Sequence, residues 1–177
     1  MNKKKYISLA KKSAEIQISE LKKIKKVLNN SFVKAVDLIL NCKGKIIFAG
    51  IGKSGLIARK ISATFSSVGI PSFFCDPAQA LHGDMGQIEK RDILIIFSYS
   101  GNTSELNNML KYANRYRIKI IGVASKSDSI LLKASDVKLL LPKVREADLT
   151  GMVPTTSTSI TLLLGDCLAT TVMQKRK

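Results

Sequence analysis

Apolar runs alternate with helical segments along most of this chain, and no other feature constrains its fold as strongly. The apolar runs predict strands over 45–49, 71–75, 92–97, 118–124 and 137–141. Helical spacing predicts helices over 31–41, 56–68, 103–116, 128–134 and 156–174. Strands separated by helices form parallel sheets that are covered on both faces. We therefore expect an α/β fold, a three-layer αβα sandwich of flavodoxin-like or Rossmann-like type with a five-stranded parallel sheet.

Residues 3–29 predict one long amphipathic helix, the first part of an N-terminal helical extension over about 3–41. Its apolar stripe is interrupted only by Gln17 and consists of Ile7, Ala10, Ala14, Leu21, Ile24 and Leu28. Two interpretations stay open. The helix packs on its own domain, or the stripe forms a contact in a homodimer or homotetramer, because it keeps the 3–4 spacing of paired helices.

A turn rich in hydroxyl groups follows the third predicted strand and reads Ser98-Tyr-Ser-Gly-Asn-Thr-Ser-Glu105. Backbone N–H groups, the hydroxyls of Ser98, Ser100 and Thr103, and a helix N-terminus converge in such a turn, which suits a dianionic phosphate group. The alternative is a capping box with Asn102 as N-cap and Glu105 three residues later. Because a capping box leaves the two serines unexplained, we favour the phosphate site.

A second turn, Gly50-Ile-Gly-Lys-Ser-Gly55, follows the first predicted strand and matches the dinucleotide pattern G-x-G-x-x-G. Asp76 lies about 20 residues further on, where that pattern places an acidic residue. Lys53 and Ser54 add an ammonium and a hydroxyl, which suit a sugar phosphate better than a pyrophosphate. Gly52, Lys53 and Ser54 are therefore candidate binding residues, and a solvated surface lysine is the alternative for Lys53.

Three further clusters carry polar side chains. The loop over 76–91 is long for this fold and contains His82, for which a site residue and a structural turn are both open interpretations. Glu146 follows the last predicted strand at the edge where ligands bind. The run 155–159 places five hydroxyls at the start of the last helix. Capping requires only one or two of them, so Thr156 and Ser157 are candidate ligands.

The length of 177 residues suits a single domain over 1–177. The net charge is +16, from 29 basic and 13 acidic residues. The basic residues are scattered with few aromatics between them, which argues against a nucleic-acid partner and still favours an anionic substrate. No apolar run is long enough to span a membrane, and the N-terminus lacks a signal-peptide core, so no membrane association is expected.

The few cysteines and the one histidine limit which metal sites the chain could form. Cys42, Cys75 and Cys167 are odd in number and far apart, which is typical of reduced thiols and predicts a cytoplasmic location. His82 is the single histidine of the chain, so a histidine-rich metal site is excluded. We expect neither a metal nor another cofactor.

Several of these motifs occur together in one order and spacing: Gly52-Lys-Ser-Gly55, His82-Gly-Asp84, Ser98-x-Ser-Gly-x-Thr-x-Glu105, Glu146-Ala147 and Pro154-Thr-Thr-Ser-Thr158. In this combination the chain resembles the sugar isomerase (SIS) domain of the D-arabinose 5-phosphate isomerase family, from about residue 5 to residue 177. That family interconverts D-ribulose 5-phosphate and D-arabinose 5-phosphate, and its product feeds the synthesis of Kdo, the acid sugar of Gram-negative lipopolysaccharide.

The resemblance implies a role for each matching residue. Phosphate would be held by Ser54, Ser98, Ser100 and Thr103, and the reacting carbons would be lined by Lys53, His82, Glu105 and Glu146. Isomerisation through a cis-enediol needs a base for a carbon acid and stabilisation of the enediolate oxygen. Glu146, with a pKa raised by partial burial, and His82 are the candidate bases.

The chain also departs from the family pattern. Many members carry a pair of CBS modules after the SIS domain, and members carry a histidine shortly after the last helix; no residue up to Lys177 matches either feature. Tyr99 stands where a smaller polar residue is usual. SIS domains also serve as sensors through the same serine turn, so a non-catalytic phosphosugar sensor is the alternative function. An NAD-dependent oxidoreductase, which would rest on Gly50, Gly52, Gly55 and Asp76, is a less favoured one.

Overall fold

A parallel sheet of five strands forms the centre of the molecule in the computed structural model, which describes residues 3–148 and 150–176. The strands are β1 (Ile46–Gly50), β2 (Ser72–Phe74), β3 (Ile93–Phe97), β4 (Lys119–Ala124) and β5 (Val137–Leu140). Their order is β2-β1-β3-β4-β5, so the direction of winding reverses between β1 and β3. The predicted αβα architecture and its parallel sheet are confirmed.

The helices cover both faces of this sheet. They are α1 (Lys3–Leu21), α2 (Asn30–Leu40), α3 (Gly52–Ser67), α4 (Pro77–Ala80), α5 (Asn107–Arg115), α6 (Ile130–Ala134) and α7 (Thr156–Lys175). Short 3₁₀ helices occur at Lys22–Lys26, Asp84–Gln87 and Ser104–Leu106. Among the described residues no helix has both the length and the apolar character needed to cross a bilayer.

Alternation along the strands explains why the sheet needs a helix layer on each side. In β3, Ile93, Ile95 and Phe97 join the core formed with α2, α3 and α7. Leu94 and Ile96 point to the opposite face and join the core formed with α5 and α6. Each of these five side chains is almost completely buried, which is what a continuous apolar run in a doubly covered strand requires.

The prediction of one helix over 3–29 is wrong in its C-terminal third. Helix α1 ends at Leu21, and a 3₁₀ helix over Lys22–Lys26 follows. The tighter winding carries Ile24 and Val27 into the core, where both are buried. Helix α1 contains no fully buried residue, so the first part of the predicted stripe, Ile7, Ala10 and Ala14, lies exposed, and Ile7 is 59% exposed.

The segment 76–91 is also more ordered than the predicted loop. Asp76 caps α4, because its Oδ1 accepts a hydrogen bond of 2.9 Å from the N–H of Ala78. Pro77 occupies the first turn of that helix, where a missing N–H costs nothing. The Asp76 carboxylate therefore has a local structural role, which accounts for it without a dinucleotide.

Packing between α3 and α7 predicts that Gly165 tolerates no side chain. A Cβ there would overlap the side chain of Ile61, which is fully buried. We expect Gly165→Ala to cost about 1–3 kcal/mol through overpacking, more than the gain of up to about 1 kcal/mol in helix propensity. Urea unfolding measures the net loss. The matched change Gly86→Ala, at a glycine with open space around it, should stay within about 0.5 kcal/mol of wild type, and equal effects of both changes would contradict the prediction.

Candidate functional site

Two turns lie side by side where the strand order reverses. Gly50 at the end of β1 pairs in register with Phe97 at the end of β3, so the turns that follow begin next to each other. Ligands of open parallel sheets bind at this position, outside the carboxyl ends of the strands. The structure therefore brings the glycine turn and the serine turn to one site, as their sequence positions predict.

The glycine turn brings the start of α3 close to the sheet. Gly52 has a φ of +58°, in the left-handed region that favours glycine. A Cβ at Gly55 would lie 2.6 Å from the carbonyl oxygen of Gly50, so only glycine allows the helix to approach β1 this closely. Helix α3 begins without a side-chain cap, and its first turn presents Lys53 and Ser54 at the cavity described below.

The serine turn is braced by its own hydroxyl groups. Ser98 Oγ and Thr103 Oγ1 are 2.8 Å apart, and the N–H of Gly101 donates to Ser98 Oγ at 3.0 Å. Ser100 Oγ accepts a hydrogen bond of 3.3 Å from the N–H of Asn102. Ser98 is buried, whereas Ser100 is exposed and lines the cavity. The two serines thus have different surroundings, one inside the turn and one at its surface.

The alternative interpretation of this turn as a capping box is wrong. The first helical residues, Ser104–Leu106, form a 3₁₀ helix whose N-cap is Thr103, and α5 starts only at Asn107. Asn102 Oδ1 instead accepts a hydrogen bond of 2.9 Å from the N–H of Ile130, at the start of α6. Glu105 accepts a hydrogen bond from Ser104 Oγ at 2.9 Å and is exposed.

Glu146 occupies the N-terminus of α7. Its Oε2 accepts hydrogen bonds from the N–H groups of Thr155, Thr156 and Ser157, at 2.8, 2.7 and 3.2 Å. Thr155 Oγ1 donates a further bond of 3.0 Å to the same oxygen. A carboxylate at this position satisfies N–H groups that the helix leaves free and interacts favourably with the helix dipole.

These contacts set the ionisation of Glu146. Burial raises its pKa, but the hydrogen bonds from Ser157 and Thr155 outweigh that effect and hold the pKa below its ordinary value. The expectation of a raised pKa is therefore wrong. Its position after the last predicted strand located Glu146 near the site, but no local pattern indicated that it would cap the last helix.

A cavity of about 540 Å³ opens between the two turns and the start of α7. Five of the predicted site residues line it: Lys53, Ser54, Ser100, Glu146 and Ser157. Apolar side chains complete the wall, among them Ile51, Ile57, Val144 and Met152. One cation, one carboxylate and several hydroxyls around a partly apolar cavity suit a small, polar, anionic ligand.

The other predicted site residues lie outside the lining of this cavity. Ser98 and Thr103 brace the serine turn, and Gly52 sets the backbone of the glycine turn. Thr156, in the first turn of α7, is fully buried. His82 and Glu105 are exposed. In the described ranges 3–148 and 150–176, no three histidine, cysteine or acidic side chains group together as metal ligands.

Sequence reasoning missed several cavity residues, among them Thr161 and Tyr99. Thr161 lines the cavity four residues after Ser157, and helical spacing of hydroxyls would have found it, because i and i+4 share a helix face. Tyr99 lines it as well, and its hydroxyl bonds to the segment that carries Glu146. No local pattern indicates that contact, since the partners lie 45 positions apart.

Comparison with known proteins identifies the family of this chain. The profile of the family described as SIS domain matches residues 39–171. A probable arabinose 5-phosphate isomerase of Haemophilus influenzae is 39% identical over 97% of this chain and 51% of its own length. An uncharacterised protein of Rickettsia prowazekii is 42% identical over 99% of this chain and 55% of its own length. The chain thus spans about half the length of the curated relatives it matches.

A solved structure matches the described architecture more completely. A protein of E. coli CFT073, determined in complex with arabinose 5-phosphate, superposes with a TM-score of 0.95 at 32% identity. The match covers 99% of this chain and 94% of that one. At this level of identity and coverage the likeness reaches beyond the shared fold to the family.

The lowered pKa of Glu146 predicts a pH-dependent contribution to stability. A carboxylate whose folded-state pKa lies below the unfolded value, ordinarily 4.5, stabilises the fold above that value and loses this effect as the pH falls through the folded pKa. Glu146→Gln cannot ionise, so its deficit in free energy of unfolding should be largest near neutral pH and shrink on acidification. Urea unfolding from about pH 7 down to about pH 3 measures the difference. Glu15→Gln, at an exposed position on α1, is the matched control, and a pH-independent deficit of Glu146→Gln would contradict the prediction.

Proposed function

This chain belongs to the SIS domain family, and on that premise we propose that it is an aldose–ketose isomerase that interconverts D-ribulose 5-phosphate and D-arabinose 5-phosphate. The observation that carries the proposal is the cavity in which Lys53, Ser100 and Glu146 meet at the switch point of the sheet. The sugar-phosphate complex of the similar E. coli protein and the names of the relatives support the same substrate class.

The phosphate group would bind at the glycine and serine turns. The uncapped N-terminus of α3 carries a partial positive charge, and Lys53 adds a full one. Ser54 and Ser100 offer hydroxyls in the cavity. Ser98 and Thr103 would act through the shape of the turn, because their hydroxyls bond to each other.

The proton transfer between C1 and C2 would take place at the α7 side of the cavity. A base removes the proton from one carbon and returns it to the neighbouring carbon, while a hydroxyl proton moves in the opposite sense, so the chemistry is balanced without an external oxidant or reductant. Glu146 is the proposed base because it is the carboxylate in the cavity lining. Its lowered pKa keeps it ionised at neutral pH, although it also weakens the base.

The remaining predicted residues have proposed supporting roles. Lys53 would stabilise negative charge on the enediolate oxygen or on the phosphate. Thr156 and Ser157 shape the opening turn of α7, and Ser157 is positioned in the cavity lining to bond a sugar hydroxyl. His82 and Glu105 are exposed, so they would contact the substrate only from the rim of the site.

The biological setting is also a proposal. We place the chain as one SIS domain over 1–177, with the helical extension over 3–41, acting in the cytoplasm on the route to Kdo and lipopolysaccharide. We further propose a homodimer or homotetramer that uses the exposed surface of α1, which includes Ile7 of the predicted stripe. The apolar side chains Tyr6, Ile7, Leu9 and Ile18, each about half exposed or more, support that contact.

A first prediction concerns phosphate binding. Ser100→Ala should weaken binding of D-arabinose 5-phosphate by about 1–3 kcal/mol, because a phosphate oxygen loses its hydrogen-bond donor. Isothermal titration calorimetry measures the change. Ser67→Ala, whose hydroxyl bonds to the carbonyl of Thr64 at the exposed end of α3, is the matched control. Unchanged affinity in a folded Ser100→Ala protein would remove the serine turn from the phosphate site.

A second prediction concerns turnover. Wild-type protein should convert D-ribulose 5-phosphate into D-arabinose 5-phosphate, and Glu146→Gln should lower the rate by about 10²–10⁴ while affinity stays within a few-fold. His82→Ala should lower it less. If Glu146 is the base, it must be ionised, so the rate should begin to decline with acidification only below pH 4.5.

Three results would change this assignment. If the rate instead declines in the pH range where imidazoles titrate, His82 would replace Glu146 as the proposed base. Near-normal turnover of Glu146→Gln would do the same. Binding of the sugar phosphate by wild type without turnover would favour the phosphosugar sensor over the isomerase.

A further inference from the structure

The segment over 142–147 carries Glu146 and follows β5 without belonging to a helix or strand. We infer that Tyr99 and Glu20, two side chains from distant parts of the chain, are positioning residues that hold this segment and thereby fix Glu146 at the cavity. The inference rests on the proposed function for its catalytic consequence and on hydrogen-bond geometry for the positioning itself.

Three backbone N–H groups around Glu146 bond to side chains from three separate parts of the chain. The N–H of Val144 donates to the Tyr99 hydroxyl at 2.9 Å, and the N–H of Arg145 donates to Glu20 Oε2 at 3.0 Å. The N–H of Ala147 donates to Thr155 Oγ1 at 2.9 Å. Within a sheet or helix these N–H groups would bond to backbone carbonyls, but here they bond to side chains. The conformation of the segment therefore depends on those side chains.

Tyr99 is joined to the segment at two points. Its hydroxyl accepts from the N–H of Val144 and donates to the carbonyl oxygen of Pro142 at 3.2 Å. Its own carbonyl oxygen accepts from the N–H and the hydroxyl of Ser125, at 2.9 and 2.7 Å. Tyr99 therefore connects the ends of β3 and β4 to the loop after β5, alongside the cavity it lines.

The two bonds of its hydroxyl also define what Tyr99 does not do. As donor to Pro142 the phenol must keep its proton, and burial raises its pKa above the ordinary value. Both of its hydrogen-bonding directions are committed to backbone groups. Tyr99 is therefore a positioning residue and not an acid–base group of the reaction.

Glu20 connects α1 to the same segment. Its side chain is partly buried, with 15% of it exposed, and Oε2 also bonds Lys23 Nζ at 2.6 Å. One turn earlier, Gln17 Oε1 accepts from Ser159 Oγ at 3.2 Å, which attaches the helix to α7. The end of α1 thus docks through polar groups on the two elements that hold Glu146, and this explains why the apolar stripe is interrupted at Gln17.

The test compares three variants, Tyr99→Phe, Glu20→Ala and Glu20→Gln, with the control Tyr112→Phe. The control also removes a phenol hydroxyl, but that hydroxyl donates a hydrogen bond of 3.5 Å to the carbonyl oxygen of Ile88, outside the site. Amide hydrogen exchange by NMR should show Val144 exchanging about 3- to 10-fold faster in Tyr99→Phe, and Arg145 faster by a similar factor in Glu20→Ala. Glu20→Gln, which keeps an oxygen acceptor, should restore most of the protection of Arg145. Tyr112→Phe should leave both amides as in wild type.

Kinetics supply the functional arm. Tyr99→Phe should lower kcat for D-ribulose 5-phosphate by about 10- to 100-fold with KM within about 3-fold, since it displaces the reacting group and not the phosphate site. Unchanged exchange in folded Tyr99→Phe and Glu20→Ala, or an equal change in Tyr112→Phe, would overturn the inference. A Tyr99→Phe variant that raises KM and leaves kcat unchanged would overturn it as well. If wild type shows no turnover, the proposed function fails, and the exchange data still decide the positioning by themselves.

Discussion

The carboxylate of Glu146 on the N-terminus of α7 holds the candidate site together. One oxygen accepts hydrogen bonds from three backbone N–H groups and one hydroxyl of residues 155–157. This contact joins the loop after β5 to the last helix, and the cavity lies between that junction and the two turns at the switch point. Without it, the start of α7 would face the cavity with its N–H groups free, and the segment over 142–147 would lose its closest anchor.

The rest of the site follows from where helix N-termini meet the sheet. Helix α3 starts without a side-chain cap beside Lys53 and presents positive charge to the cavity. At α7, by contrast, the carboxylate of Glu146 neutralises the partial positive charge of the helix N-terminus. The cavity therefore has one electropositive side and one carboxylate side. This polarity suits a ligand with an anionic group at one end and a carbon acid or hydroxyls at the other, which is the chemistry of a sugar phosphate.

Long-range hydrogen bonds explain why the geometry of this site is not a local property. Tyr99 reaches Val144 across 45 positions, and Glu20 reaches Arg145 across 125. Each partner looks ordinary in its own stretch of sequence: a tyrosine in a serine turn and a glutamate near the end of a lysine-rich helix. Only the fold brings these partners together, because the sheet places the ends of β3 and β5 at one edge and α1 packs with Glu20 against the loop after β5.

The sequence by itself determined the αβα architecture, the five strands and the two turns at the ligand edge, because apolar periodicity and glycine and serine spacing are local signals. It also identified Lys53, Ser54, Ser100, Glu146 and Ser157, which line one cavity. Tertiary structure alone decided the end of α1 at Leu21, the hydrogen bond from the first N–H of α6 to Asn102 and the lowered pKa of Glu146. Those features depend on which polar groups meet across the fold, and helical or strand periodicity carries no information about such partners.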